Sequence, residues 1–525
     1  MTTRDEAATT AMRVAAIDIG SNSVRQIIAD VSPTGAIRVV DEMKAAPRLG
    51  AGLDARGMLD EAAMERAIEA LGRMATLARH QQADRVEVVA TSAVRDAGNR
   101  DEFIRRAEEA TGLVVRVLPG EEEARLGHLS ARAHFDLSEA RAAVMDIGGG
   151  SLELALSAGG AVERLISLPF GALRLTEQWL GSNVRAKDLR SLRKFVRKGL
   201  AEELPRRDWH SAMVIGSGGT FTNLAAIHLA RSGFGDPLSV HGTTVLREDL
   251  EHIMEWLAAM TTEERTRVPG LNPARADIMV AGLAVAAEVM ARLDARELTA
   301  SGYGIREGIL LDTAAVQLAP NQGESARERS VRALAERCRY DQRHAEQVRK
   351  LSLQLFDAIG ESLGGTPEER RILADAALLH DVGYHIKHEG HHKHSYHLIV
   401  HADLLGMSPQ DRLTVANVAR YHRASKPRAS HANFSALDKE LRERVVRLAA
   451  ILRVADGFDR GHTAAVGQLK VEHASNEMRI CAVPIRDAVS LRLELWGAQR
   501  KSALLEDVAE KKVVVLGAED GHRVQ

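Results

Sequence analysis

Apolar residues recur along this chain in two rhythms, one of strands and one of helices. Residues 13–19 and 23–31 are dense in Val, Ile and Ala and predict two strands joined by the turn Gly20-Ser21-Asn22. Residues 61–81 place Met64, Ile68, Leu71, Ala75 and Leu77 near the helical repeat of about 3.6 residues, which predicts an amphipathic helix. A β-branched run at 86–91 reads as a buried strand, 101–111 as a helix closed by Gly112, and 113–118 as a further strand. Alternation of this kind predicts an α/β domain. The plan restarts at Arg141: a strand over 142–147, the turn Gly148-Gly149-Gly150, a strand from Leu152, helices over 186–203 and 247–260, and a strand at 212–215 between them. AAIDIGSNS at 15–23 and AVMDIGGGS at 143–151 are echoes, which suggests two halves built alike. After Ala319-Pro320-Asn321-Gln322-Gly323 the pattern is helical from 325 to about 460, and strand-like stretches return at 480–483, 489–495 and 513–516. The expected domains are therefore 12–136, 137–320, 325–465 and 466–525.

Composition narrows the class. Lys plus Arg number 70 against 72 Asp plus Glu, so the net charge of −2 excludes a globally basic nucleic-acid coat and an acidic tail. Any charged ligand must be met by local clusters. Aromatic residues are only 3% of the chain, so the cores must be aliphatic. Two cysteines, Cys338 and Cys481, make no disulfide framework and fit a reducing compartment. No run of about 18 apolar residues is present to span a bilayer, and the N-terminus lacks an apolar signal core. A soluble cytoplasmic protein is expected.

Four segments set small residues directly after apolar strands: 18–23 (DIGSNS), 146–151 (DIGGGS), 216–220 (GSGGT) and 301–304 (SGYG). Glycines let successive backbone N–H groups face one concavity, which suits phosphate oxygens. Ser21, Asn22, Ser23, Gly148, Gly149, Gly150, Ser151, Gly218, Gly219 and Thr220 are the expected phosphate-binding residues. Any one such segment alone is equally well a tight turn. Asp18 and Asp146 each end a hydrophobic strand, where an unpaired carboxylate is costly, and Glu153 lies two residues past Ser151. Mg²⁺ held by Asp18, Asp146 and Glu153 together with substrate phosphates would remove that cost. Hydrogen bonds to neighbouring loop N–H groups are the alternative. Arg95 follows the strand at 86–91 and offers a bidentate fork to a transferred phosphoryl group, unless it forms a surface ion pair.

Together with Arg306-Glu307-Gly308, the segment Ala90-Thr-Ser-Ala-Val-Arg95-Asp-Ala-Gly-Asn99 and the segment Gly120-Glu-Glu-Glu123-Ala-Arg125, these motifs resemble the exopolyphosphatase/guanosine pentaphosphate phosphohydrolase family, from about residue 12 to at least 460. The resemblance implies two actin-like, RNase H-like domains of the acetate/sugar kinase, heat-shock ATPase and actin superfamily, then an all-α HD-like domain and a small α/β tail. It also implies Mg²⁺-dependent hydrolysis of the terminal phosphate of inorganic polyphosphate, or of pppGpp at the same site, in a homodimer with no DNA or membrane partner. It assigns the catalytic role to Glu123, Arg95 is the second catalytic candidate through its reach to the phosphoryl group, and Glu121 reads as a solvated helix start. A kinase would need an adenosine pocket, which no segment offers. A non-catalytic sensor of polyphosphate or (p)ppGpp would need no water-orienting base. Arg306 and Glu307 read either as a buried ion pair or as a substrate contact.

Two further clusters stand apart. Arg190, Arg193, Lys194, Arg197 and Lys198 make one helical stripe, readable as a solvated face or as a track for a polyanion. His344, His380-Asp381 and Asp456 fall in predicted helices in the order of an HD-type metal site, a candidate for a second divalent ion, with His394, His397 and His422 able to add ligands. The rival reading is a helical bundle whose histidines pair with phosphate or with one another.

Overall fold

The computed structural model describes residues 11–137, 141–181, 183–204, 209, 212–232, 239–316, 326–402, 404–474, 476–486 and 490–517. The predicted break at 319–323 lies outside the described residues. The chain divides into two compact units, Met1–Ala326 and Arg327–Gln525.

The first unit holds two mixed sheets. One comprises β1 (Met12–Ile19), β2 (Val24–Val31), β3 (Ile37–Ala45), β4 (Arg85–Ala90) and β5 (Val115–Val117) in the order β3-β2-β1-β4-β5. Strands β1, β2 and β3 pair antiparallel, and β4 and β5 add in parallel to β1. β1 is a nearly continuous apolar run, as expected of a strand buried on both faces, with successive side chains entering opposite cores. Val14 and Ala16 pack with Leu126, Ala133 and Leu310, whereas Ile17 and Ile19 pack with Met64, Leu71 and Phe103.

The second sheet comprises β6 (Arg141–Ile147), β7 (Leu152–Ala158), β8 (Ala161–Leu168), β9 (Met213–Ser217), β10 (Thr244–Leu246) and β11 (Glu297–Ala300). Its order β8-β7-β6-β9-β11 repeats that of the first sheet, with β10 added antiparallel at the edge. The echo between 15–23 and 143–151 is thus the first hairpin of a repeated topology. The helix Gly120–His134 packs on both sheets: Leu126 and Ala133 meet Val14 and Ala16, and Ala124 and Ala131 meet Ala142, Val144 and Ala155. Alanines at the contact allow the close approach. The N-terminus of this helix is thereby fixed between the two halves.

The basic stripe lies on the helix Ala186–Glu203 and is not five free cations. Arg193 Nε donates to Glu288 Oε1 at 2.6 Å, and Arg197 Nε donates to Glu288 Oε2 at 2.8 Å. Glu288 comes from the buried helix Met279–Leu293, so these two arginines neutralise a core carboxylate. Arg190, Lys194 and Lys198 are exposed.

The second unit is helical, with main helices Gln342–Ile359, Pro367–Leu379, His391–Val400, Pro409–Arg420 and Lys439–Gly457. A small sheet of β12 (Val466–His473), β13 (Glu477–Pro484) and β14 (Lys512–Gly517) follows, with β13 central. The strand expected at 489–495 is corrected: 489 lies outside the described residues, and Arg492–Lys501 is a helix. Gly457, Gly497 and Ala498 meet where it packs on the helix Lys439–Gly457. That small-residue contact selects the helix over the local Leu alternation. A buried ion network closes this unit, with Arg327 donating to Asp375 Oδ2 at 2.6 Å and to Asp411 Oδ2 at 3.0 Å. Arg327→Leu leaves two buried carboxylates uncompensated and should destabilise the unit by about 3–5 kcal/mol, read from denaturant unfolding. An unchanged midpoint would refute that role. Among the described residues no helix is long and apolar enough to cross a membrane.

Candidate active site

The two hairpin turns face one cleft in the first unit. Asp18 on β1 stands opposite Arg25 on β2, and at the matching place Asp146 on β6 stands opposite Glu153 on β7. Each turn closes identically: Gly20 N–H donates to the Ser23 carbonyl at 3.1 Å, and Gly148 N–H to the Ser151 carbonyl at 3.0 Å. The C-terminal ends of β4, β9 and β11 add Thr91-Ser92, Gly218-Gly219 and Gly302–Gly304 to the lining. This is the crevice position where open α/β sheets bind ligands. Gly218 has φ +84°, a left-handed backbone, and its N–H-rich turn opens the helix Gly219–Arg231. A Cβ at Gly150 would lie 2.2 Å from Ser92 Oγ, so the second hairpin fits against the first half only without a side chain.

The cleft concentrates buried carboxylates. Burial pushes the Asp18 carboxyl up to about 6 against the pull of Arg25 and Arg306. Burial likewise raises Asp146, although Ser217 Oγ donates to Asp146 Oδ2 at 2.9 Å. Glu153 is pushed up to about 7 by burial, with the neighbouring Asp146 adding to the shift, while Ser167 Oγ donates to its Oε1 at 3.1 Å. Asp18 Oδ1 is buried without any hydrogen-bond partner. An orphaned carboxylate oxygen beside two further carboxylates is a donor set that fits a hard divalent cation. Asp18, Asp146 and Glu153 could hold one.

Glu123 lines the cleft from the first turn of the helix Gly120–His134 and is 7% exposed. Burial, then the charge of Glu153, raises its carboxyl well above the ordinary range, and Arg95 opposes both. Its neighbours differ. Glu122 is held by Arg125 at 2.8 and 2.9 Å, and Glu121 is exposed. Arg95 pairs with that carboxylate: its Nη1 donates to Glu123 Oε1 at 2.6 Å and to the Leu118 carbonyl at 2.8 Å. In this structure it holds Glu123 in place.

Ser21, Asn22, Ser23, Gly148, Gly149, Gly150, Ser151, Gly218 and Gly219 all line the cleft. Thr220 does not: its hydroxyl is buried and donates to the Ile147 carbonyl at 3.3 Å. It ties the GSGGT turn to β6. Glu307 accepts from Gly304 N–H at 2.7 Å, and Arg306 pairs with Glu42 at 3.0 Å, so both brace the last turn while lining the cleft. Two cations escaped the sequence reading. Arg25 is hidden in strand alternation. Arg275 arrives from a 3₁₀ turn, 7% exposed, with its side chain pulled down to about 10 by burial and by Arg25. Their signal was charge at an otherwise buried position, which only the fold exposes.

In the second unit, His344, His380, Asp381 and Asp456 converge. His344 Nε2 lies 3.3 Å from His380 Nε2, 3.7 Å from Asp381 Oδ2 and 3.6 Å from Asp456 Oδ1. Burial holds His380 and His422 below the usual imidazole range. For His344, burial is outweighed by Asp456 and Asp459, which push it up to about 9. His422 and His391 flank Asp381 from the other side; His394 and His397 are not in this cluster.

The first unit is thus a duplicated α/β fold whose two Asp-ended hairpins frame a carboxylate-rich, glycine-lined cleft, the architecture of a phosphatase family. The chain belongs to the Ppx/GppA phosphatase family, whose model matches residues 27–316; the model of that family's domain III matches 326–494. Members are hydrolases acting on phosphoric anhydrides. The chain is 28% identical over 449 residues to a guanosine-5'-triphosphate,3'-diphosphate pyrophosphatase of Pseudoalteromonas atlantica, covering 84% of this chain and 86% of that one. The Ppx/GppA family member of Aquifex aeolicus is 32% identical with a TM-score of 0.51, covering 58% of this chain and 98% of that one. An exopolyphosphatase of Cytophaga hutchinsonii is 25% identical with a TM-score of 0.55, covering 58% of this chain and 99% of that one.

Proposed function

We propose that this chain hydrolyses the terminal phosphoanhydride of a linear polyphosphate anion. The observation that carries the reading is Glu123, a buried carboxylate held by Arg95 at the edge of a cleft lined by two phosphate-type turns. The N–H groups and hydroxyls of Ser21, Ser23 and Ser151 bind the terminal phosphoryl oxygens. Arg25 and Arg275 offset the charge of the phosphates that follow. Glu123 orients a water and accepts its proton as the water oxygen bonds to phosphorus and the bridging P–O bond breaks. Orthophosphate leaves, and the shortened anion carries the electron pair of the broken bond. Mg²⁺, which Asp18, Asp146 and Glu153 would hold, supplies charge neutralisation on the phosphoryl oxygens when bound.

Inorganic polyphosphate and pppGpp both present that linkage. The sequence motifs put polyphosphate first. The likeness over 84% of the chain to a relative named for the guanosine substrate favours pppGpp as strongly. Orthophosphate release from long-chain polyphosphate and from pppGpp, measured in parallel, separates them by kcat/KM. Release from neither would overturn the proposal, as would phosphorylation of a metabolite by ATP in its place.

Arg95 provides a pH test. Arg95 draws the Glu123 carboxyl down, so its removal lets burial and Glu153 raise that group further. A base must be deprotonated to act, so the alkaline-going rise of kcat in Arg95→Met should move to higher pH than in the unaltered protein. A superimposable profile would dissociate Arg95 from Glu123.

A further inference from the structure

We infer that the second unit contains a dinuclear transition-metal centre in which Asp381 bridges two ions, the first held by His344, His380 and Asp456 and the second by His391 and His422. The argument begins with protons. His380 Nδ1 lies 2.7 Å from the Ala377 carbonyl, His422 Nδ1 2.7 Å from the Ala419 carbonyl, and His391 Nδ1 3.0 Å from the His388 carbonyl. His344 Nδ1 lies 2.8 Å from Asp459 Oδ2. Carbonyl and carboxylate oxygens only accept, so all four Nδ1 atoms carry hydrogen and Nε2 is the atom each ring has left to ligate with. Those Nε2 atoms turn inward toward each other, His344 against His380 at 3.3 Å and His391 against His422 at 3.4 Å, with Arg423 Nη1 3.3 Å from His391 Nε2. All four rings are at most 2% exposed. Each pair of nitrogens, with a carboxylate beside it, converges on a point where one cation could bind both.

The carboxylates show where that charge belongs. Asp381 Oδ2 is 3.5 Å from His380 Nε2 and 3.7 Å from His344 Nε2, and Asp456 Oδ1 is 3.9 and 3.6 Å from the same two atoms. On the other side Asp381 Oδ1 is 3.1 Å from His391 Nε2 and 3.4 Å from His422 Nε2, yet it takes part in no hydrogen bond. A cation with bonds of about 2.1 Å sets its ligands about 3.0–3.4 Å apart, depending on whether it is octahedral or tetrahedral. The two triangles around Asp381 have nearly those edges. Two ligand groups sharing one carboxylate fit two metal ions. Imidazole-rich donors favour Mn, Fe, Co or Zn over Mg. The remaining oxygen of Asp456 is taken by Lys501, and Asp459 orients His344, the supporting contacts expected around a metal ligand.

The test uses the full chain, stripped with chelator and titrated with Mn²⁺ in excess Mg²⁺, which competes at the cleft of the first unit. Bound Mn²⁺ by elemental analysis should reach about two per chain, with the exchange-coupled resonance of a two-metal site. His391→Asn and His422→Asn should each lower this to about one and convert the resonance to that of an isolated ion; Asp381→Asn should abolish coupling. Asp146→Asn, in the other unit, should change neither readout. Less than one ion per chain, an uncoupled resonance in the unaltered protein, or coupling that survives Asp381→Asn would overturn the inference. The unaltered protein's resonance decides the matter even if a variant fails to fold.

Discussion

Glu123→Gln should lower kcat by ~10²–10⁴-fold, the usual contribution of a general base, with little change in substrate affinity. The amide keeps the shape that Arg95 grips but cannot accept the proton of the attacking water. Its neighbours serve as internal controls. Glu122 is bound to Arg125, which also donates to Asp312 at 2.8 Å, so Glu122→Gln should affect packing of this helix more than turnover. Glu121 is exposed, and Glu121→Gln should do little. Orthophosphate release under saturating substrate provides the comparison. Normal kcat in Glu123→Gln with loss in Glu122→Gln would shift the assignment by one residue. Loss in neither would remove the hydrolytic mechanism altogether.

Asp146→Asn should lower kcat by about 10²–10³-fold and also raise the Mg²⁺ concentration at half-maximal rate, because neutralising charge on a phosphoryl group is a matter of several kcal/mol. The double effect distinguishes it from Glu123→Gln, which should leave the metal requirement unaltered. Asn at this position still meets the hydroxyl of Ser217, so the turn into Gly218 keeps its support. A variant that loses rate without any change in Mg²⁺ dependence would place Asp146 outside the metal's reach.

What the sequence disclosed, and what it withheld, follows the range of the interactions involved. The hairpin turns were legible because a strand, an Asp and a glycine cluster are all local. The helix at 186–203 was legible because Leu189, Leu192 and Val196 repeat at helical spacing. β3 was not, since Ile37–Ala45 is half exposed and lacks a clean alternation. The helix Met279–Leu293 hid for the opposite reason: it is buried nearly all round and has no polar face to set a period. The pairing of Arg95 with Glu123 was not legible because the two are 28 residues apart. Arg275 enters the cleft through a turn with no motif of its own. His422 was legible as a further ligand, but its pairing with His391 was not, because a separation of 31 positions means nothing until helices converge.

The repeated hairpin carries a last implication. Two copies of one topology facing each other would, if identical in side chains, form a site with no intrinsic polarity, and a linear anion could lie in it either way round. The partner of the strand-end Asp breaks that equivalence: Arg25 in the first copy, Glu153 in the second. The cleft therefore carries a cation at one register position where the equivalent position of the repeat carries an acid, with Arg275 added from the second half. Its two walls are chemically unlike although their backbones repeat, so an elongated anion meets different partners in its two headings. Divergence at a single register position is enough to give a groove of repeated topology two distinguishable sides.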